Sequence, residues 1–414
     1  MAKEFMQSGK YDLLFRGGRV YDTETRQFEP LDLAVKDGAI AEKGPSLSAA
    51  SAEKVIDVSG CVVTPGLIDM HCHVYPKFPF QEDGLPTIHP DAHMLQCGVT
   101  TAVDAGTCGP RDFIRFKESV IDRSTVRVLS FVNIASGGMV DLSTEQDPAQ
   151  FMPEAAAAIA RTFPDLVVGI KTAHYWVGKP FDGRHPAWAS VDSALKAGEL
   201  CGKPVMADFQ PTLPGRPYPD LILEKLRPGD IHTHVYAQQF PVLDRDRKVN
   251  PFLFEARKRG VVFDLGHGAG SFWFRNAVPA WEQGFGPDTL STDLYLDNVA
   301  GPVIGLTNVI SKYLNIGMPL EEAIFRTTRR PAEVLHHPEL GTLDAGSCAD
   351  IAVFKLSKGD FGFADSGRAR MKGNVRLNCV MTVRAGKVVY DPDAKSCPEW
   401  ETAPAPYWIS PGVL

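Results

Sequence analysis

The rhythm of apolar and polar positions changes twice along the chain. Residues 11 to 63 read as short strands separated by turns. Leu13-Leu14-Phe15 and Arg19-Val20-Tyr21, around Gly17-Gly18, predict one hairpin. Asp32-Leu33-Ala34-Val35 and Gly38-Ala39-Ile40, around Lys36-Asp37, predict another, and Val55–Val58 and Cys61–Val63 continue the pattern. The far end echoes it in Asp350–Phe354, Val380–Val383 and Gly386–Tyr390. Two strand-rich ends around a long middle predict a small β-sandwich domain assembled from residues 1–64 and 342–414.

Residues 65–341 alternate short apolar runs with helical stretches, the pattern of repeated βα units. Eight runs serve as strands: Leu67–His73, Gly98–Asp104, Val126–Asn133, Leu166–Lys171, Pro204–Asp208, Asp230–His234, Val261–Leu265 and Thr289–Asp293. Helical patterns fall between several of them, as at Ala155–Thr162, Val191–Cys201 and Asn250–Arg259. Eight parallel strands in this length predict an α/β fold, a TIM-type (β/α)8 barrel whose chemistry gathers at the C-terminal strand ends.

Composition narrows the partners. The 414 residues suffice for one barrel and a smaller companion. A formal charge of −7 and the lack of any basic run speak against nucleic acid or an anionic membrane. The N-terminus lacks the apolar core of a signal peptide, and no segment is long and apolar enough to span a bilayer. Eight cysteines without a Cys-x-x-Cys pair suit free thiols in a reducing compartment, so a cytoplasmic location is expected.

The strand ends hold the candidate chemistry. After the Pro65-Gly66 turn, the first run ends in His71-Cys72-His73. Residues two apart on a strand point the same way, so two imidazoles face one side as the start of a divalent metal site, and Cys72 faces the other. Later strands end in Lys171, Asp208, His234 and Asp293, with His232 two residues before His234 on the same expected face. No Gly-x-Ser-x-Gly elbow is present, and neither serine nor cysteine nucleophilic chemistry is favoured. Gly266-His267-Gly268-Ala269-Gly270 lacks the glycine spacing of a dinucleotide loop. It reads as a flexible loop beside the site, with His267 either contacting substrate or serving structure. His174, Tyr175 and Trp176 either face the substrate or pack the loop after the fourth strand, and His89, His93, His185, His336 and His337 are assigned to surface or helix.

Taken together, Pro65–His73, Gly98–Gly106, Gly169-Ile170-Lys171, Gly266–Phe272, Ser291-Thr292-Asp293 and Leu340–Asp350 resemble the amidohydrolase superfamily. The likeness is to its dihydroorotase-like metal-dependent hydrolases, in particular the amidohydrolase/deacetylase group with D-aminoacylase-like members. The resemblance implies two divalent ions, zinc expected and manganese allowed. His71, His73 and Asp293 would hold the more buried ion, and His234 the more exposed one. Lys171 would be carbamylated by CO2 or bicarbonate to N6-carboxylysine, because two cations repel an ammonium while a carbamate offers an oxygen to each. A bridging water, acidified by both ions, would attack, with Asp293 as general base and then general acid. The implied activity is cleavage of an amide or ester bond in a small molecule, such as an N-acyl amino acid or acyl ester. A homo-oligomer is expected, since relatives are frequently oligomers.

The fifth strand departs from the family pattern, which places a histidine where Asp208 stands. Three readings are open: Asp208 ligates in its place, His232 does, or one ion suffices. Asp208 is preferred for its position at the strand end. Two rival functions are a cyclic amidase of dihydroorotase or hydantoinase type and a non-catalytic interaction protein on the same fold. Dihydroorotases commonly carry an arginine two residues after His-x-His, where Tyr75 stands here, and a drifting scaffold has no reason to keep so many charged strand ends.

Overall fold

A computed structural model of the chain describes residues 11–76, 85–140, 144–174, 181–211 and 214–409. Seven parallel strands form one sheet in chain order: Leu67–Cys72, Val99–Ala105, Arg127–Asn133, Val167–His174, Val205–Phe209, Ile231–His232 and Val262–Phe263. The eighth predicted strand, Thr289–Asp293, makes no continuous ladder. It fills the gap between the seventh and first strands through isolated parallel bridges, Thr289 to Asp264 and Leu294 to Cys72. The Asp293 N–H donates to the His71 carbonyl at 2.6 Å, and the His267 N–H to the Ser291 carbonyl at 3.3 Å. The ladder breaks because Asp293 has φ of 49°, a left-handed conformation that no extended strand can contain. His234, with φ of 62°, ends the sixth strand for the same reason.

The helical layer includes Pro153–Thr162, Ala189–Cys201, Pro251–Lys258, Phe274–Glu282 and Leu306–Ile316. Proline at the first turn starts two of these, where its missing N–H costs nothing, and Gly202 in the left-handed region ends Ala189–Cys201. The buried faces of the first two are built from Ala156, Ala157, Ala160, Val191, Ala194 and Ala197 at helical spacing. Inside the sheet, Ile68, Met70, Val103, Leu129, Phe131, Met206, Ile231 and Val262 fill the barrel, and Ala332, Val334, Leu335 and Leu340 pack onto this cluster. Among the described residues, no helix is long and apolar enough to cross a membrane.

Strands from both ends of the chain make two further sheets. One orders Ala39–Gly44, Asp32–Lys36, Tyr11–Arg16 and Ala52–Asp57. The other orders Lys387–Tyr390, Arg370–Arg384, Ile351–Ala364, Val62–Pro65, Arg19–Asp22 and Gln27–Glu29. They share an apolar core in which Leu13, Phe15, Leu33 and Ile56 meet Val63, Ile351, Val353 and Met381. The paired strands Ile351–Ala364 and Arg370–Arg384 run far beyond the predicted Asp350–Phe354 and Val380–Val383. Their outer halves are rich in lysine, arginine and glycine and largely exposed, so no apolar alternation marks them in the sequence.

Asp350 ties this sheet to the base of the barrel. Its buried carboxylate accepts Arg127 Nη1, from the third barrel strand, at 2.7 Å and Arg384 Nη1 at 3.0 Å. Burial alone would raise its pKa, but the two guanidiniums outweigh burial and hold it below the ordinary carboxylate range. The carboxylate therefore stabilises the fold fully above the ordinary value of 3.8 and loses this contribution as pH falls through its lowered folded value. Asp350→Asn should destabilise the protein by about 3–5 kcal/mol at neutral pH by stranding two cations. Urea unfolding should show this deficit shrinking once the wild-type carboxyl is protonated; a deficit independent of pH would assign the loss to packing.

Candidate metal centre

His71 and His73 reach the C-terminal mouth of the barrel on the first strand. Its pairing with the second strand slips between Asp69 and Cys72, and Cys72 packs in the outer core while both histidines turn inward. His71 Nδ1 lies 2.8 Å from Thr233 Oγ1, whose hydroxyl donates to Asp264 Oδ2 at 2.8 Å. His73 Nδ1 lies 2.7 Å from Thr107 Oγ1, and His234 Nδ1 lies 2.6 Å from the Gly266 carbonyl. A carbonyl only accepts, and the Thr233 hydroxyl already donates, so His234 and His71 carry their protons on Nδ1. This leaves Nε2 as the inward atom, the arrangement by which metal-ligating histidines are oriented.

The inward atoms converge. Asp293 Oδ1 is 2.9 Å from His73 Nε2 and 3.4 Å from His71 Nε2. Ligand atoms of these three buried residues all lie within 4.8 Å of one another. Beside them, His234 Nε2 is 3.2 Å from Asp208 Oδ2, and the His71 and His234 rings are 4.9 Å apart. Burial, then the charges of Lys171 and the neighbouring histidines, pushes His71 well below the usual imidazole range, so it is neutral as ligation requires. Burial would also lower His234, but the Asp208 and Asp293 carboxylates outweigh it and raise its pKa to about 9. Carboxylates that draw a proton to this nitrogen equally favour a divalent cation there.

Lys171 is 1% exposed, and among the described residues its Nζ meets only Met206 Sδ, at 3.9 Å. A buried ammonium facing a thioether is costly. Gly106, with φ of 82°, packs on the lysine stem, where a Cβ would sit 2.5 Å from Lys171 Cγ.

The structure brings Asp208 to the site and leaves His232 out, correcting the expectation that His232 and His234 share a face. The sixth strand stops at His232, and the left-handed turn at His234 breaks the alternation. The His232 ring points between sheet and helices, against Tyr218, Phe240 and Phe263 at 5.2, 4.7 and 6.0 Å. Among the described residues neither of its nitrogens has a hydrogen-bond partner, and burial pulls its pKa down to about 3. His267, read from the sequence as either a substrate contact or a structural residue, has both nitrogens engaged: Nδ1 at 3.0 Å from the Gly268 carbonyl and Nε2 at 2.6 Å from Lys312 Nζ. Its loop approaches the neighbouring strand ends closely. A Cβ on Gly268 would lie 2.4 Å from Asp293 Oδ2, and one on Gly266 2.5 Å from Thr233 Oγ1. The fourth strand runs through His174, but the side chain of His174 and the whole of Tyr175 and Trp176 lie outside the described residues.

Several supporting residues had escaped the sequence reading. Asp264 accepts the hydroxyls of Thr233, Thr289 and Ser291. Asp69 accepts the Thr292 hydroxyl at 2.5 Å and its N–H at 3.0 Å, which fixes the residue before Asp293; burial pushes the Asp69 pKa up to about 7. Asp104 accepts the N–H groups of Val74 and Thr107, on either side of His73. A lone aspartate inside each apolar run was the available signal. Lys312, buried on Leu306–Ile316 with its pKa drawn down by burial to about 7, gave no such sign.

These features define a metal-dependent hydrolase of the amidohydrolase class, and comparison with known proteins agrees. No protein-family model matches the chain. It is 30% identical over 345 residues to a deacetylase of Brucella anthropi, with 81% of each chain covered. A deacetylase of Enterococcus faecalis is 29% identical over 384 residues, spanning 92% of this chain and 99% of that one. Among solved structures, an adenine deaminase superposes with a TM-score of 0.82 at 29% identity, over 92% of this chain and 100% of that one. A dihydroorotase follows at 0.77 and 26%, over 92% and 99%. The chain belongs to the family of these deacetylases, within the amidohydrolase superfamily.

An unpaired buried imidazole among aromatic rings contributes nothing to ligation. His232→Phe should therefore leave the bound metal unchanged, by elemental analysis, and raise stability by about 1–3 kcal/mol in urea unfolding. Loss of metal in this variant would return His232 to the site.

Proposed function

We propose that the protein is a two-metal hydrolase that removes the acyl group of a small molecule, an N-acyl amino acid or the corresponding acyl ester. One observation carries the reading: three imidazoles with anchored Nδ1 atoms aim Nε2 at the Asp293 and Asp208 carboxylates around a buried lysine that has no oxygen partner among the described residues.

The donors fit such a centre. His71, His73 and Asp293 would hold one ion, and His234 with Asp208 the other. Lys171, carbamylated from CO2 or bicarbonate, would lie between them, which explains an amine placed where an ammonium is costly. Nitrogen and oxygen donors suit zinc, and the aspartate in place of a histidine makes the second position equally suited to manganese. When bound, such ions polarise a carbonyl and acidify water.

The chain's own groups supply the proton handling. Asp293 is held by its N–H to the His71 carbonyl and by Asn298 Nδ2, which donates to the Asp293 carbonyl at 2.7 Å. From there its carboxylate takes the proton of the attacking water and passes it to the leaving nitrogen or oxygen. The Thr233–Asp264 pair and the Gly266 carbonyl keep His71 and His234 in one tautomer throughout. Acyclic acyl compounds are favoured over cyclic amides because Tyr75, where dihydroorotases commonly carry arginine, is buried against Phe116 with ring centres 4.9 Å apart. It cannot hold a substrate carboxylate there. In sequence the named deacetylases match most of the chain, whereas a dihydroorotase at 47% identity matches 73 residues; the solved dihydroorotase shares the fold over 92% of the chain at 26% identity. A cytoplasmic homo-oligomer completes the reading.

Protein prepared with zinc and bicarbonate, screened over N-acyl amino acids, acyl esters and cyclic amides, should bind stoichiometric metal and turn over the first two classes. Protein that takes up no metal would end the reading. Asp293→Asn should keep the fold and most metal while kcat falls about 10²–10⁴-fold; near-normal turnover would remove the proton-transfer role. Asp208→Ala should lose one of two ions by elemental analysis, and full retention would show that the second position is built from other residues.

A further inference from the structure

The long hairpin of Ile351–Ala364 and Arg370–Arg384 ends not in solvent but against the loop that touches Asp293. At its tip, Ser366 exchanges two hydrogen bonds with Phe272: its N–H donates to the Phe272 carbonyl at 2.8 Å, and its Oγ accepts the Phe272 N–H at 3.0 Å. The same hydroxyl donates to the Gly268 carbonyl at 3.3 Å. Asp365 Oδ2 accepts the Phe274 N–H at 3.0 Å, and Gly367 lies so close to Trp273 that a Cβ would sit 2.2 Å from its ring.

The Gly268 carbonyl is also the acceptor for His267 Nδ1, and His267 Nε2 accepts from Lys312 Nζ, which donates as well to the Pro302 carbonyl at 2.7 Å. The helix that carries Lys312 is stitched to the hairpin. Ser311 Oγ accepts the Leu377 N–H at 3.0 Å, and Asn315 Nδ2 donates to the Val375 carbonyl at 2.7 Å. Hairpin, helix and loop thus make one hydrogen-bonded unit that meets at Gly268, which runs so close to the Asp293 carboxylate that a Cβ there would lie 2.4 Å from Oδ2.

We propose that the hairpin tip and Lys312 form a brace that presses Gly268 onto Asp293 and fixes the angle of its carboxylate, which makes Ser366 and Lys312 positioning residues for proton transfer. The role rests on the assignment of Asp293 in the preceding section. It also accounts for the hairpin's length, since strands ending near Lys358 would not reach the loop. It explains the burial of a lysine and histidine pair that, among the described residues, makes no hydrogen bond to a candidate ligand. The brace requires a hydroxyl at 366 and a donor at 312.

The test compares Ser366→Ala, Ser366→Thr and Lys312→Met with the parent as zinc-loaded protein. The readouts are kcat, KM and the rate of metal release into a chelator. Ser366→Ala and Lys312→Met should each lower kcat on the order of tenfold and speed metal release by a similar factor, with KM unchanged. Ser366→Thr, which keeps the hydroxyl, should restore both. Unchanged kcat and release in Ser366→Ala would overturn the brace, as would Ser366→Thr behaving like Ser366→Ala. A rise in KM alone would overturn it too and make the loop a substrate wall. If Lys312→Met does not fold, the half-exposed Ser366 decides the matter. If the parent hydrolyses none of the compounds screened, the acyl-hydrolase reading fails and the release rates alone judge the brace.

Discussion

Charge balance in a small dry space governs this structure. Three imidazoles, two carboxylates and a lysine amine crowd the mouth of one barrel, all nearly inaccessible to water. At an effective dielectric of about 20, two unit charges 4 Å apart interact by about 4 kcal/mol, so no group there can keep an arbitrary protonation state. The anchoring bonds resolve part of the conflict. Nδ1 is committed to Thr233 and to the Gly266 carbonyl on His71 and His234, and Thr107 meets the same atom of His73. The cluster that remains is one that divalent cations would complete.

Holding that cluster takes backbone conformations that a regular strand cannot supply. His234 and Asp293 both sit in the left-handed region, which carries a cost on the order of 1–3 kcal/mol for residues with a side chain. The surroundings over-determine them. Asp293 is pinned by its N–H to His71, by Asn298 and by Asp69 through Thr292, while Gly266 and Gly268 let the neighbouring backbone close on both ligands without a clash. The same turns explain why the sixth strand is short and the eighth is reduced to bridges. Regularity gives way where the ligands are aimed.

The flanking sheets belong to the same logic. The apolar core between them is separate from the barrel's, but Tyr21, Val62, Phe354 and Leu377 of the second sheet pack into the barrel's outer core, and Asp350 ties the two at the barrel base through Arg127 and Arg384. At the opposite mouth the extended hairpin returns to the loop after the seventh strand. One sheet therefore grips the barrel at both ends, and the polar, exposed middle of the hairpin is the span between the two contacts.

Fold class and most of the candidate site were legible in the chain because they rest on local, periodic signals. Apolar runs at βα spacing marked the barrel strands, and polar residues at their ends, His71, His73, Lys171, Asp208, His234 and Asp293, stood out against apolar lead-ins. Alternation assigned Cys72 to the outer side correctly. It failed at His232 because a two-residue period holds only while the backbone stays extended, and the reversal of φ at His234 is set by contacts with Gly266 and Asp208 that lie far away in sequence. The tasks of His267, Lys312 and Ser366 were invisible for a related reason: each depends on a partner more than forty residues distant, or nearly a hundred for Ser366. Residue type and local period thus determined what chemistry the chain carries, while tertiary contact alone decided which histidine is turned inward and what holds the aspartate in place.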